Sequence, residues 1–130
     1  MNDIAHAMQS LPERVNADSR LTRIGRYCST EFLLESGEAS FHIQVERGRI
    51  TQVLPGPRRM RAWSFALRGA PGAWRHFWQP VPAVGFNDIF AMCRYGHLLI
   101  DGDVGPLLEH LRFIKEVIAL PRGAVAGGAP

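Results

Sequence analysis

Apolar positions recur with two different periods along this chain, and the change of period divides it into elements. From Cys28 the period is two: Cys28, Thr30, Phe32 and Leu34 alternate with Ser29, Glu31, Leu33 and Glu35, up to a turn at Ser36-Gly37. Phe41, Ile43 and Val45 alternate more cleanly with Ser40, His42, Gln44 and Glu46, the pattern of a strand with one face on a core and one in solvent. Arg47-Gly48 supplies a tight reversal. Residues 49–54 return through Ile50, Val53 and Leu54, completing a meander that stops at Pro55-Gly56-Pro57. After a basic loop at 58–61, Trp63, Phe65 and Leu67 alternate with Ala62, Ser64 and Ala66, which predicts a fourth strand.

The flanking segments read as helical. In the first 25 residues Pro12 and Glu13 suit a helix start, Asn16-Ala17-Asp18-Ser19 a break with a fresh N-cap, and Leu11, Val15, Leu21 and Ile24 the buried side. Pro80 and Pro82 limit any helix around Trp74, Phe77 and Trp78 to a short one. Asn87 and Asp88 suit a helix start and Gly96 a stop, so 87–95 reads as two turns with Ile89, Phe90, Met92 and Cys93 inward. A fifth strand follows at 97–101. Asp103 then caps one long helix, with Pro106 in its first turn, where the leading amides have no intrahelical acceptor. Leu107, Leu111, Ile114 and Ile118 form its stripe, Leu108, Phe113, Val117 and Leu120 widen it, and Glu109, Arg112 and Glu116 stay wet. This is more apolar surface than one sheet contact requires. Residues 121–130, rich in Gly, Ala and Pro, read as a disordered tail after a domain at 1–120.

Composition narrows the class. A chain of 130 residues with 46% hydrophobic and 21% charged residues suits one globular domain that needs neither disulfide nor metal. No apolar run approaches a membrane span, and the first residues lack a basic start and an apolar stretch of signal length, so a cytoplasmic location is expected. Cys28 and Cys93 have no metal-ligand spacing and read as core residues in a reducing compartment. The net charge of +3 conceals an asymmetry: residues 47–87 hold no Asp or Glu, and Arg47, Arg49, Arg58, Arg59, Arg61, Arg68 and Arg75 put +7 there. Such a field steers an anionic membrane, a nucleic acid or an acidic partner; a merely solvated basic face is the plainer reading.

Candidate chemistry is sparse. Asp101-Gly102-Asp103 reads as a turn and helix cap rather than a cation site, having no third acid nearby. His6, His42, His76, His97 and His110 show no metal-ligand spacing, so no metal and no cofactor is expected. Asp88 beside Arg94 or His97 offers an acid/base pair of the kind small isomerases use, with a surface ion pair or cap as the plainer reading. Arg58, Arg59 and Arg61 beside Trp63 and Phe65 invite nucleic-acid contacts, but those rings alternate inward on a strand that needs a buried face, so no nucleic acid is expected. Trp74, Phe77 and Trp78 either plug the core or line a ligand pocket.

The order of elements resembles the sterol carrier protein family over most of residues 11–120. The likeness is sharpest at Asn87-Asp88-Ile89-Phe90-Ala91-Met92, similar to that family's acidic-then-hydrophobic helix, at Tyr95-Gly96, and at Leu98-Leu99-Ile100-Asp101-Gly102-Asp103, similar to its short strand closing on Gly-Asp. Ser40 to Arg49 matches its hairpin less specifically. The resemblance implies an α+β single domain: a twisted, five-stranded, mostly antiparallel sheet covered by helices, with an apolar cavity between them that carries sterols, fatty acids or acyl thioesters without chemistry. It makes Trp63, Phe65, Phe90, Met92, Leu111, Ile114 and Ile118 candidates for the wall. The chain departs from the family between Leu67 and Gly85, where the family's connection is shorter, so Trp74, Phe77 and Trp78 fill the cavity, cap it or form a partner surface. The leading expectation is a non-enzymatic lipid-binding and lipid-transport protein whose Arg58, Arg59 and Arg61 approach anionic membrane. The alternatives are an accessory subunit, or homodimer, docking through the aromatic patch, and a cofactor-free isomerase or cyclase.

Overall fold

The computed structural model describes residues 3–58 and 60–122. Among them are α1 (Asp3–Asn16), α2 (Ser19–Ile24), β1 (Thr30–Ser36), β2 (Ala39–Glu46), β3 (Arg49–Pro55), β4 (Phe65–Gly69), α3 (Pro71–Phe77), α4 (Ile89–Arg94), β5 (Leu98–Gly102), α5 (Gly105–Glu109) and α6 (Leu111–Ala119). The five strands form one sheet in the order β3-β2-β1-β4-β5, antiparallel throughout except for β1 against β4. This is the mostly antiparallel α+β architecture expected, as an open sheet. No described helix is long and apolar enough to cross a membrane.

Registers define the two faces. Phe32 pairs with Ile43 and Phe65, Leu34 with Phe41 and Leu67, and Leu67 with Ile100, so one face carries the large apolar side chains under the helices. Phe32 and Phe65 stack there at 5.0 Å with planes 3° apart. The parallel β1/β4 pair requires the chain to return from the end of β3 to the start of β4, and the described residues of that return lie along the other face, from Gly56 N–H on Ser40 O to Ser64 N–H on Glu31 O. His42, expected in solvent, is therefore only 3% exposed. Its Nδ1 lies 3.1 Å from Glu31 Oε2, and the same carboxylate accepts from Arg61 Nε and Nη2 at 2.6 and 3.0 Å.

Three elements differ from their sequence-based expectations. Pro12 sits inside α1 rather than at its start: Ile4, Ala7, Met8, Leu11 and Val15 bury one continuous helical stripe, which outweighs a proline cost of about 3 kcal/mol. β4 begins at Phe65, leaving Trp63 half-buried on the outer side with the Arg68 guanidinium 5.4 Å from its ring. The last helix breaks at His110 (φ −120°, ψ 39°) into α5 and α6. The break leaves Leu108 at 55% exposed, while Phe113 and Val117, expected on the flank, enter the core. Asp103 does bond the next turn, accepting from Gly105 N–H at 3.0 Å. Pro121 is buried and Arg122 half-buried, two residues beyond the expected domain boundary; the rest of the expected tail, 123–130, lies outside the described residues.

Candidate functional site

Short-range rules build α3. Pro71 occupies its first turn, where a missing amide costs nothing, and Ala70 gives it no side-chain cap. Its seven residues therefore hold by packing. Trp74, Phe77 and Trp78, the last at the capping position, are 0–2% exposed. Trp74 stacks on Trp78 at 5.3 Å and meets Phe77 edge-on at 5.7 Å. Each indole N–H donates to a distant backbone carbonyl, Trp74 Nε1 to Glu35 O at 2.7 Å and Trp78 Nε1 to Ile118 O at 2.8 Å. Phe77 has no such bond to give.

These three rings share one core with Phe65, Met92, Ile114 and Ile118, with Leu111 packed at its margin. The three rings expected to fill, cap or line an apolar cavity are thus part of the packed core, with Trp74 tied to β1 and Trp78 to α6 by their indole bonds. Two expected wall residues fall elsewhere. Trp63 belongs to the outer face, and Phe90 is 37% exposed with Lys115 Nζ 6.0 Å above its ring. The three aromatics that would make a docking patch are buried and offer none. Among the described residues the buried polar side chains are Ser36, Ser40 and His42; Ser36 Oγ, on the helix-covered face, has no hydrogen-bond partner there.

Two of the concave regions that open to solvent adjoin α3. A groove of about 810 Å³ beside α3 is lined by Arg68, Gly69, Ala70, Ala73, His76, Phe86, His97 and Leu98 among others. In it Phe86 lies between two imidazoles, 4.8 Å from His76 and 4.2 Å from His97. A smaller cleft of about 260 Å³ lies between the end of α3, the start of α4 and α6, lined by Phe77, Asn87, Asp88, Ile89, Lys115, Glu116, Ala119 and Arg122.

Charge pairing gives Asp88 its plainer reading, a cap and an ion pair, and removes one cation from the expected membrane-facing set. Asp88 does not pair with Arg94 or His97: its Oδ1 caps α4 on Phe90 N–H at 2.6 Å and its Oδ2 accepts from Lys115 Nζ at 2.8 Å. Burial pushes this carboxyl up, but the bonds from Lys115 and the Phe90 amide together hold it below the usual aspartate value. Arg61 is spent on Glu31, which leaves Arg58 as the exposed cation of the expected membrane-facing set among the described residues, Arg59 lying outside them. Hydrogen bonding from Arg20, followed by its charge, lowers Glu116, and burial lowers Arg122. Burial also raises the Cys28 thiol to about 11, which keeps it unreactive. No three His, Cys, Asp or Glu side chains converge as metal ligands among the described residues. Arg122 is invisible to pattern reading because it sits in a Gly- and Ala-rich segment without periodicity.

No family model and no curated protein matches this chain. Solved structures do. A crystal structure of sterol carrier protein 2 superposes with a TM-score of 0.72 at 11% identity, covering 93% of this chain and 96% of that one. A conserved protein from Thermus thermophilus, described with reservation as a sterol carrier protein, gives 0.64 at 9% identity over 88% and 85%. The ubiquinone synthesis protein UbiJ-SCP2 gives 0.61 at 12% identity over 90% and 89%. At these identities the likeness is one of fold: the chain has the sterol carrier protein 2 fold, as its motifs from Phe86 to Leu120 implied.

Proposed function

We propose that this protein binds an apolar ligand between its sheet and its helices and carries it without changing it chemically. The observation that supports this is the interlayer itself, where Phe65, Trp74, Phe77, Trp78, Met92, Ile114 and Ile118 belong to one buried apolar cluster. It occupies the space between sheet and helices in a fold shared with sterol carrier protein 2.

Magnitudes decide how a ligand enters a filled interlayer. A chain of about 16 carbons gains about 13 kcal/mol on burial at about 0.8 kcal/mol per methylene. Exposing one ring of roughly 150–250 Å² costs about 4–6 kcal/mol, and association costs at least about 4 kcal/mol more. Displacing one ring leaves a net gain of about 3–5 kcal/mol; displacing all three rings of α3 leaves none. The ring that moves is Phe77, since Trp74 and Trp78 would also lose their indole hydrogen bonds.

The test is titration of delipidated protein with a fluorescent fatty acid, alongside native mass spectrometry of the purified chain. Saturable uptake at one ligand per chain is expected, in the high-micromolar to millimolar range to which a net gain of about 3–5 kcal/mol corresponds. Absence of uptake together with an empty native spectrum overturns the reading. In this proposal the approach to an anionic membrane rests on Arg58 with the neighbouring, almost fully exposed Met60, a smaller basic surface than the sequence suggested.

A further inference from the structure

Arg122 is a half-buried cation with no anion of its own among the described residues. Its Nε donates to Phe77 O at 3.0 Å, its Nη2 reaches Asn87 O at 3.5 Å, and its guanidinium lies 4.7 Å from the centre of the Phe77 ring. Every one of these partners is a neutral carbonyl or a π face. The two carboxylates that line the same cleft are engaged by other cations, Asp88 by Lys115 and Glu116 by Arg20 and Arg112. The lining charges of the cleft thus balance, but Arg122 is left as its cation without a carboxylate partner, beside the apolar side chains of Phe77, Ile89 and Ala119. Partly desolvating a cation without an opposite charge is unfavourable, and an incoming anion relieves it.

Phe77 links this cleft to the interlayer. One side of its ring carries the Arg122 guanidinium, and it meets Trp74 edge-on in the core. An aliphatic chain that turned Phe77 aside would pass from the cleft directly into the apolar region.

We propose that the cleft is a head-group site: Arg122 receives the anionic end of an amphiphile, a carboxylate or phosphate, whose tail enters past Phe77. This rests on the apolar-ligand reading above and adds to it a selection by head-group charge, which favours anionic amphiphiles over neutral sterols and alcohols. A charge-assisted pair of this kind contributes about tenfold to a hundredfold in affinity.

The experiment compares hexadecanoate, hexadecanol and inorganic phosphate by tryptophan fluorescence and calorimetry on the intact chain. Hexadecanoate is expected to bind about ten to a hundred times more tightly than hexadecanol. In R122Q the ratio of the two is expected to fall to near one, and R122K, which keeps the charge, is expected to retain most of it; thermal unfolding of both variants checks that they fold. Equal binding of acid and alcohol to the unaltered chain, or a ratio unchanged in R122Q, overturns the head-group assignment while leaving apolar binding in place. Inorganic phosphate binding as tightly as hexadecanoate overturns it in favour of a small free anion. If neither long-chain probe binds, the head-group proposal falls together with the reading on which it rests.

Discussion

Asn16 shows how one side chain can finish a sheet. Its amide donates to Ile50 O at 3.0 Å and accepts from Ile50 N–H at 2.9 Å, occupying both hydrogen-bonding groups of one residue on the edge strand β3. An open edge would otherwise invite pairing with another chain. Asn16→Leu leaves two backbone groups without partners and is expected to cost about 1–3 kcal/mol, read as a lower urea midpoint with an unchanged slope. In sequence Asn16 is legible only as a helix break, since its partner lies 34 positions away. Asp88 makes a second residue-level case. Its folded carboxyl titrates below the ordinary aspartate value of 3.8, so the unfolded chain binds the proton more readily. The stabilisation from its ionised form is therefore complete above the unfolded value and is lost as pH falls through the lower, folded one. Acid unfolding of Asp88→Asn is expected to be less steep in that window than for the unaltered chain, and identical acid limbs would contradict the assigned bonds.

At the scale of elements, legibility followed the strength of the local period. β1 and β2 are readable because alternation over seven or eight residues specifies their inner face, whereas β3 is readable from the turns at Arg47-Gly48 and Pro55-Gly56-Pro57 that bound it. β4, with five residues, could not be delimited, and Trp63 fell outside it although it continued the same alternation. The α5/α6 break was invisible because both halves suit one helical pattern; tertiary packing chose between them. Close approach sets another limit that no pattern reveals. At Gly25, after α2, a Cβ would stand 2.3 Å from Phe113 Cδ1 of α6, so Gly25→Ala must push that ring off its seat, at a cost of about 1–3 kcal/mol or more. A melting temperature equal to that of the unaltered chain would refute this packing. For α3, Phe77→Ala is expected to lower stability by about 3–5 kcal/mol and at the same time to raise hexadecanol uptake, because the ring to be displaced is already gone. Lower stability without greater uptake would separate Phe77 from ligand entry.

For the whole molecule the charge asymmetry is smaller at the surface than in sequence order, although Arg47, Arg49 and Arg58 remain exposed. Arg61 and Arg68 come from the stretch that has no acid of its own, yet both are neutralised by acids from other segments, Arg61 by Glu31 and Arg68 by Glu35 and Asp101. Attraction to anionic vesicles is accordingly expected to be modest and to vanish between low and physiological salt, where exposed charges are largely screened beyond about 8–10 Å. Co-sedimentation that persists at high salt would contradict this. Residue order alone specified the five strands and their order along the chain, the inner face of most strands, a single core and, through the likeness of the Phe86 to Leu120 motifs to a known family, the fold. Each of those follows from periodicity or from motifs read along the chain. Whether the interlayer is open, which charges cancel, and where a cation stands without an anion depended instead on how distant segments meet. Those outcomes rest on pairs such as Trp74 with Glu35, 39 positions apart, and Arg122 with Phe77, 45 apart. No local pattern encodes such distances, because they are closed by the connection from β3 to β4 across the sheet and by the rings of Trp74, Phe77 and Trp78 entering the core.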